Sequence, residues 1–213
     1  MSDRLKIAVL VSGAGTNLQA LLDSVHGREA EIVAVASSVA GAPALERAEA
    51  SGVATAVFSR GEFPDREARD AALAAWLQDR GARLVVLAGY MELLGETFLV
   101  RFPGAVINVH PSLLPAFPGI AAVEQALAYG VKVFGVTVHF VDAGIDSGPV
   151  ILQRAVELPD AREPGEVLSA LRPIEHALLP QAVRLIAQGK LTRDPGSPRR
   201  VIVELPAPEG PEG

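Results

Sequence analysis

Short apolar runs alternate with amphipathic stretches along most of these 213 residues, and that rhythm restricts the fold more than any other feature. LKIAVLV (5–11) ends in a glycine-rich turn and leads into TNLQALLDSV, which has helical spacing. EIVAVAS (31–37) reads as a second strand, PALERAEAS as a helix stopped at Gly52, and ATAVF (54–58) as a third strand. Residues 64–80 predict a stronger helix, with Pro64 suited to its first turn, Asp65 and Glu67 to its positive end, and Arg80 and Gly81 as a stop. RLVVLA (83–88) and AVINV (105–109) follow as further strands. Strands and helices in alternation imply an α/β fold, a mostly parallel twisted sheet with helices on both faces. VFGVTVHFV (133–141) and PVILQRAVEL (149–158) are separated by only seven residues, too few for a helical crossover. They predict an antiparallel strand pair toward the C-terminal half. From 164 to 188 the pattern is helical, and Pro173 and Pro180 predict two or more segments.

The length suits one domain with a tail, and 49% hydrophobic residues supply a core. The domain is expected over 1–190, in halves of about 1–100 and 101–190, with a tail at 191–213. In that tail RRVIVEL could add one strand, and the final eight residues read as mobile. With no cysteine there is no disulfide and no thiol nucleophile, and no His/Asp/Glu spacing makes a metal site. A net charge of −6 without a long basic block argues against nucleic-acid binding. No apolar run is long enough for a membrane span. A charged start running straight into a strand, without a cleavage site, gives a cytoplasmic expectation.

VLVSGAGTNLQALL (9–22) sets a Gly-x-Gly turn between a strand and a helix, where backbone N–H groups and the helix dipole favour an anion. Leu18 stands where a dinucleotide fingerprint needs its third glycine, and Ser37 and Ser38 end the second strand where an acidic residue would meet a ribose. No Gly-Lys-Ser/Thr follows, which excludes a Walker loop. A lone phosphate at Gly15, Thr16 and Asn17 remains, beside a plain turn with Thr16 or Asn17 capping the helix.

Asn108 and His110 end an apolar strand in VINVHPSLLP and point to the same side. Asp146, in the glycine-rich VDAGIDSGPV, could carry a carboxylate back to that histidine. An amide to hold an oxyanion, an imidazole to move protons near neutrality and a carboxylate to orient it together suit acyl transfer to an amine. His139, inside a strand, reads as a satisfied wall or core histidine; His26 and His176 read as surface or packing residues in helices.

These segments, with VVLAGYMELL and IEHALLP, resemble the phosphoribosylglycinamide formyltransferase family that uses 10-formyltetrahydrofolate, in family order over about residues 5–190. The resemblance implies a Rossmann-like formyltransferase fold with a nucleotide-binding N-terminal half and a folate cleft behind it. It implies catalysis by Asn108, His110 and Asp146, and phosphate held by Gly15, Thr16 and Asn17. Glu175 would lie near the substrate ribose, and Arg66 on the folate side. Met91, Glu92, Leu93 and Leu94 would form a pterin-binding strand end, closed by a loop of Asp142, Ala143, Gly144 and Ile145. The implied partners are two small molecules, glycinamide ribonucleotide and the formyl folate co-substrate, with no metal, and a homodimer is allowed. Leu114–Pro115 is a candidate cis peptide. The chain departs from the family at Ala121, where a histidine is common, and at Ala116 and Glu92, where basic residues are common. Rivals are methionyl-tRNA formyltransferase, which carries Arg-Gly after SLLP where this chain reads AFPG, and a formyltetrahydrofolate hydrolase. A weakened nucleotide- or folate-binding protein is a third.

Overall fold

A computed structural model describes residues 4–204. Seven strands form one sheet in the order β3-β2-β1-β4-β5-β6-β7. They are β1 (Leu5–Val11), β2 (Ala30–Ser37), β3 (Thr55–Val57), β4 (Leu84–Leu87), β5 (Val106–His110), β6 (Val133–Phe140) and β7 (Val150–Glu157). The first five are parallel; β6 runs antiparallel to β5, and β7 antiparallel to β6. The helices are α1 (Thr16–Ser24), α2 (Pro43–Ala50), α3 (Arg66–Asp79), α4 (Glu96–Leu99), α5 (Ala122–Tyr129) and α6 (Pro164–Ala187). A separate antiparallel ribbon joins β8 (Leu191–Arg193) to β9 (Val201–Val203).

Strand periodicity sorts the apolar residues into two cores. Ile7, Val9 and Val11 face a core completed by Leu18 and Leu21 of α1, Ala44 of α2, Val123 of α5 and Leu179 of α6. Ala8 and Leu10 face the other core, with Leu73 and Leu77 of α3 and Phe98 of α4. Each such aliphatic side chain taken fully out of water contributes about 1.5–3 kcal/mol, so burial on both faces dominates the strand energetics. Ile107 and Val109 of β5, like Val136 and Val138 of β6, belong to the first core. Asn108, His110, Thr137 and His139 therefore share the opposite face.

Three local expectations need correction. α6 is one unbroken helix with Pro173 and Pro180 inside it. Each proline forfeits a helix hydrogen bond, but Leu171, Leu178, Leu179, Ala182 and Val183 are buried around them and their packing keeps the helix continuous. Pro64 precedes α3 rather than starting it, because Asp65 is the N-cap and accepts from the Ala68 amide at 2.7 Å. His26 lies beyond α1 in the turn to β2, where its Nδ1 accepts from the Ile32 amide at 3.0 Å. The mobility expected of the last eight residues falls outside the described range.

Candidate active site

A single row of partners crosses the sheet: Leu10 beside Leu87, Leu87 beside Asn108, and Asn108 beside His139. The carboxyl ends of β1, β4 and β5 thus reach one edge, the usual place for ligands in a parallel sheet. The glycine turn after β1 lies two strands from His110, roughly 10 Å by strand spacing.

On the polar face of β5 and β6 the cover is loop, not helix. Segment 111–119 is tied down by the Leu114 amide, which donates to Thr137 Oγ1 at 3.1 Å. Leu114–Pro115 is cis. Segment 141–149 leaves β6 at the level of Val106, where the Val141 amide donates to the Val106 carbonyl at 2.9 Å. It then folds back so that Asp146 meets the strand side chains. Gly148 permits the fold, because a Cβ there would overlap the Phe140 carbonyl. Asp146 itself has φ +47°, a left-handed conformation that costs a side-chain-bearing residue energy.

Asp146 is the hub. Its Oδ2 accepts from the Gly119 amide at 2.7 Å and lies 3.3 Å from His110 Nδ1. Its Oδ1 accepts from Asn108 Nδ2 at 3.3 Å and lies 3.5 Å from His139 Nε2. Burial alone would raise the carboxyl pKa, but the His139 bond, the Gly119 amide and the facing imidazoles outweigh it and lower it to about 2. At neutral pH Asp146 is an anion. His110 is buried, with Nε2 2.9 Å from the Phe117 carbonyl and Nδ1 toward Asp146. Both ring nitrogens thus face oxygen acceptors. The structure brings Asn108, His110 and Asp146 into one cluster.

At the other end, Gly15 sits at φ +72° before α1, and an added Cβ would lie 2.6 Å from that of Ala44. No side chain among the described residues caps α1, so Thr16 and Asn17 do not serve as caps. The first-turn amides keep their polarity for an anion. Asn17, buried, donates to Glu175 Oε2 at 2.9 Å, while its own Oδ1 is buried without a partner. Burial raises the Glu175 pKa despite the Asn17 bond and the charge of Arg172.

The folate-side residues named by resemblance are less uniform. Arg66 is exposed at the start of α3, beside Gly95. Met91 and Leu93 are exposed. The Met91 amide donates to Ser12 Oγ at 2.9 Å, and the Leu93 carbonyl accepts from Arg69 Nη2 at 3.0 Å, so part of that backbone is already engaged. Glu92 turns to Arg69 at 2.8 Å and Arg60 at 3.0 Å; burial opposes ionisation, but the two guanidiniums lower its pKa. Leu94 packs against the second core. Asp142, Ala143, Gly144 and Ile145 form an exposed arc, with Asp142 Oδ1 accepting from the Gly144 amide at 3.0 Å and from Ser147 Oγ at 2.6 Å. Ala121 has φ +57° and precedes α5.

Sequence reading missed five participants. His139 is buried and satisfied, yet it also touches Asp146 and lies 3.3 Å from Asn108 Nδ2. The antiparallel register opposite Asn108 was the signal. Arg69 and Asp70, which look like charges on a solvated helix face, are buried and joined at 2.9 Å. Phe117 and Gly119 act through their backbones. No group of three or more His, Cys, Asp or Glu side chains among the described residues is placed to hold a metal ion, and no described helix is long and apolar enough to cross a membrane.

Comparison with known proteins agrees with this geometry. A sequence model described as formyl transferase matches residues 5–183. The phosphoribosylglycinamide formyltransferase of Haemophilus influenzae is 38% identical over 188 residues, 87% of this chain and 89% of its own. The trifunctional purine biosynthetic protein adenosine-3 of Drosophila pseudoobscura pseudoobscura is 41% identical over 89% of this chain, which spans only 14% of that larger protein. The crystal structure of glycinamide ribonucleotide transformylase 1 from Symbiobacterium toebii superposes with a TM-score of 0.91 at 45% identity, covering 95% of both chains. By its sequence, its sheet order and the cluster at the end of β5, the chain belongs to the formyl transferase family.

Proposed function

We propose that this protein transfers a formyl group from 10-formyltetrahydrofolate to the amine of glycinamide ribonucleotide, a step of purine biosynthesis. The observation that carries the reading is the convergence of Asn108, His110 and Asp146 at the strand edge that also bears the Gly13–Asn17 turn. The likeness to enzymes named for this reaction, over nearly their whole length, supports it.

The phosphate of the ribonucleotide rests on the first-turn amides of α1 at Gly15, Thr16 and Asn17, with Glu175 at the ribose. This directs the amine toward β5. The amine nitrogen attacks the formyl carbon and the carbonyl electrons move to oxygen. Asn108 Nδ2 donates to that oxygen, turning from Asp146 to do so. His110, oriented by Asp146 at Nδ1, donates to the same oxygen, with substrate taking the place of the Phe117 carbonyl at Nε2. Collapse breaks the bond between the formyl carbon and the folate nitrogen, which takes a proton from His110, while the amine's proton leaves toward Asp146. No side-chain nucleophile is required. The folate lies between the 91–94 segment and the 142–145 arc, with Arg66 near its acidic end.

Incubating the purified protein with 10-formyltetrahydrofolate, with and without glycinamide ribonucleotide, tests the proposal. Folate turnover that depends on the amine is expected. Turnover without the amine would mean hydrolysis, and no turnover would mean a binding protein.

A further inference from the structure

The β8–β9 ribbon lies outside the main sheet and beyond residue 183, where the family match ends. Its apolar anchorage is thin: Leu191 and Val201 are only partly buried against the first core, and Ile202 faces solvent. Its polar attachments converge on one segment. The Arg193 guanidinium lies 4.9 Å from the centroid of the Phe140 ring, where the chain leaves β6. Arg199 Nη2 donates to the carbonyl of Ser147, the residue after Asp146. The backbone of Arg200 forms an isolated parallel bridge with Val150, where β7 begins. Ser147 within the 141–149 loop, and Phe140 and Val150 that flank it, therefore each meet an arginine of the ribbon or its turn. The turn that presents these residues is itself closed, by the Asp194 amide donating to the Arg200 carbonyl at 3.0 Å and the Arg200 amide to the Ser197 carbonyl at 2.8 Å.

We infer that the ribbon braces the Asp146 loop from outside, and that Arg199 is a positioning residue for the folate side of the reaction. The inference rests on the reading of Asp146 and of residues 142–145 given above. Its physical ground is the left-handed backbone of Asp146. Such a conformation persists only where its surroundings over-determine it. The Gly119 amide fixes the Asp146 carboxylate from one side, and a charged donor on the next carbonyl fixes the peptide from the other. The glycine turn after β1 is held instead by Ala44 and by the Asn17–Glu175 bond. The brace therefore acts on one substrate and not on the other.

Steady-state kinetics of the full-length Arg199→Ala, Arg199→Lys and Asp146→Asn proteins test it. Arg199→Ala is expected to raise the KM for 10-formyltetrahydrofolate about fivefold, the scale of one charge-assisted hydrogen bond in a partly wet site, and to leave the ribonucleotide KM within about twofold. Arg199→Lys, which keeps a cationic donor, recovers most of the loss. A folate KM that stays at the wild-type value in Arg199→Ala while Asp146→Asn is inactive overturns the brace and leaves the site reading standing. Equal rises in both KM values, or a lower melting temperature alone, overturn it as well. Full activity in Asp146→Asn removes the site reading and the brace with it.

Discussion

The turn at Gly13–Asn17 and the loop at 141–149 serve the same sheet edge, yet the first is shaped by main chain and the second by side chains. At the turn, a glycine at φ +72° and the uncapped amides of α1 form the site, and Ala44 fits against a position with no Cβ. At the loop, one carboxylate gathers two imidazoles, a carboxamide and a backbone amide. A backbone anion site binds through fixed dipoles and needs no titrating group. A site that moves protons needs groups whose charge its neighbours control. Substitutions at the first should therefore alter binding, and at the second, turnover.

Asp146→Asn should break the contrast most sharply. It is expected to lower kcat by about 100-fold or more while the ribonucleotide KM changes little. The same pair of proteins gives a pH test. Because the folded pKa of Asp146 lies at about 2, below its unfolded value near 3.8, the ionised side chain contributes stability above about pH 4 that fades as pH falls toward 2. The difference in unfolding free energy between wild type and Asp146→Asn should shrink as pH falls from about 4 toward 2. A difference that stays level between pH 4 and 2 would place the titration elsewhere.

Thr16→Glu sharpens the other side. A carboxylate at the first residue of α1 repels a phosphate, so the ribonucleotide KM should rise about 10-fold with kcat nearly retained. An unchanged KM would mean that the phosphate binds elsewhere. The smallest effect is expected at Glu175→Gln. Burial raises the Glu175 pKa, so the folded protein favours the neutral carboxyl, and the stability this contributes below the unfolded value is lost as pH rises through the folded value. The neutral amide can still accept from Asn17. At pH 7 the variant should melt about 1–3 °C higher and bind the ribonucleotide more weakly. Lower stability in calorimetry would refute this.

Much of this was legible in the residues. LKIAVLV and RLVVLA carry apolar residues into both cores, and such runs leave little choice but strands of a parallel sheet. The spacing of Asn108 and His110 fixed their shared face, and the glycines of DAGIDSGPV announced a loop that doubles back. The continuity of α6 was not legible, since it depends on what Leu178 and Val183 touch in space rather than on Pro173 and Pro180. Nor was the Arg69–Asp70 pair, because local sequence carries no mark of which charges on a helix turn inward. His139 needed the pairing register of β5 with β6, a fact about two strands.

Because Asn108 and His110 alternate with Ile107 and Val109, the working pair is aimed by its apolar neighbours. A slip of one residue in β5 would carry amide and imidazole to the wrong side of the sheet and bring the aliphatic pair out in their stead. The grease behind the strand thus acts as the sight of the instrument. Enlarging or trimming Ile107 is a change to chemistry made from the far side of the wall.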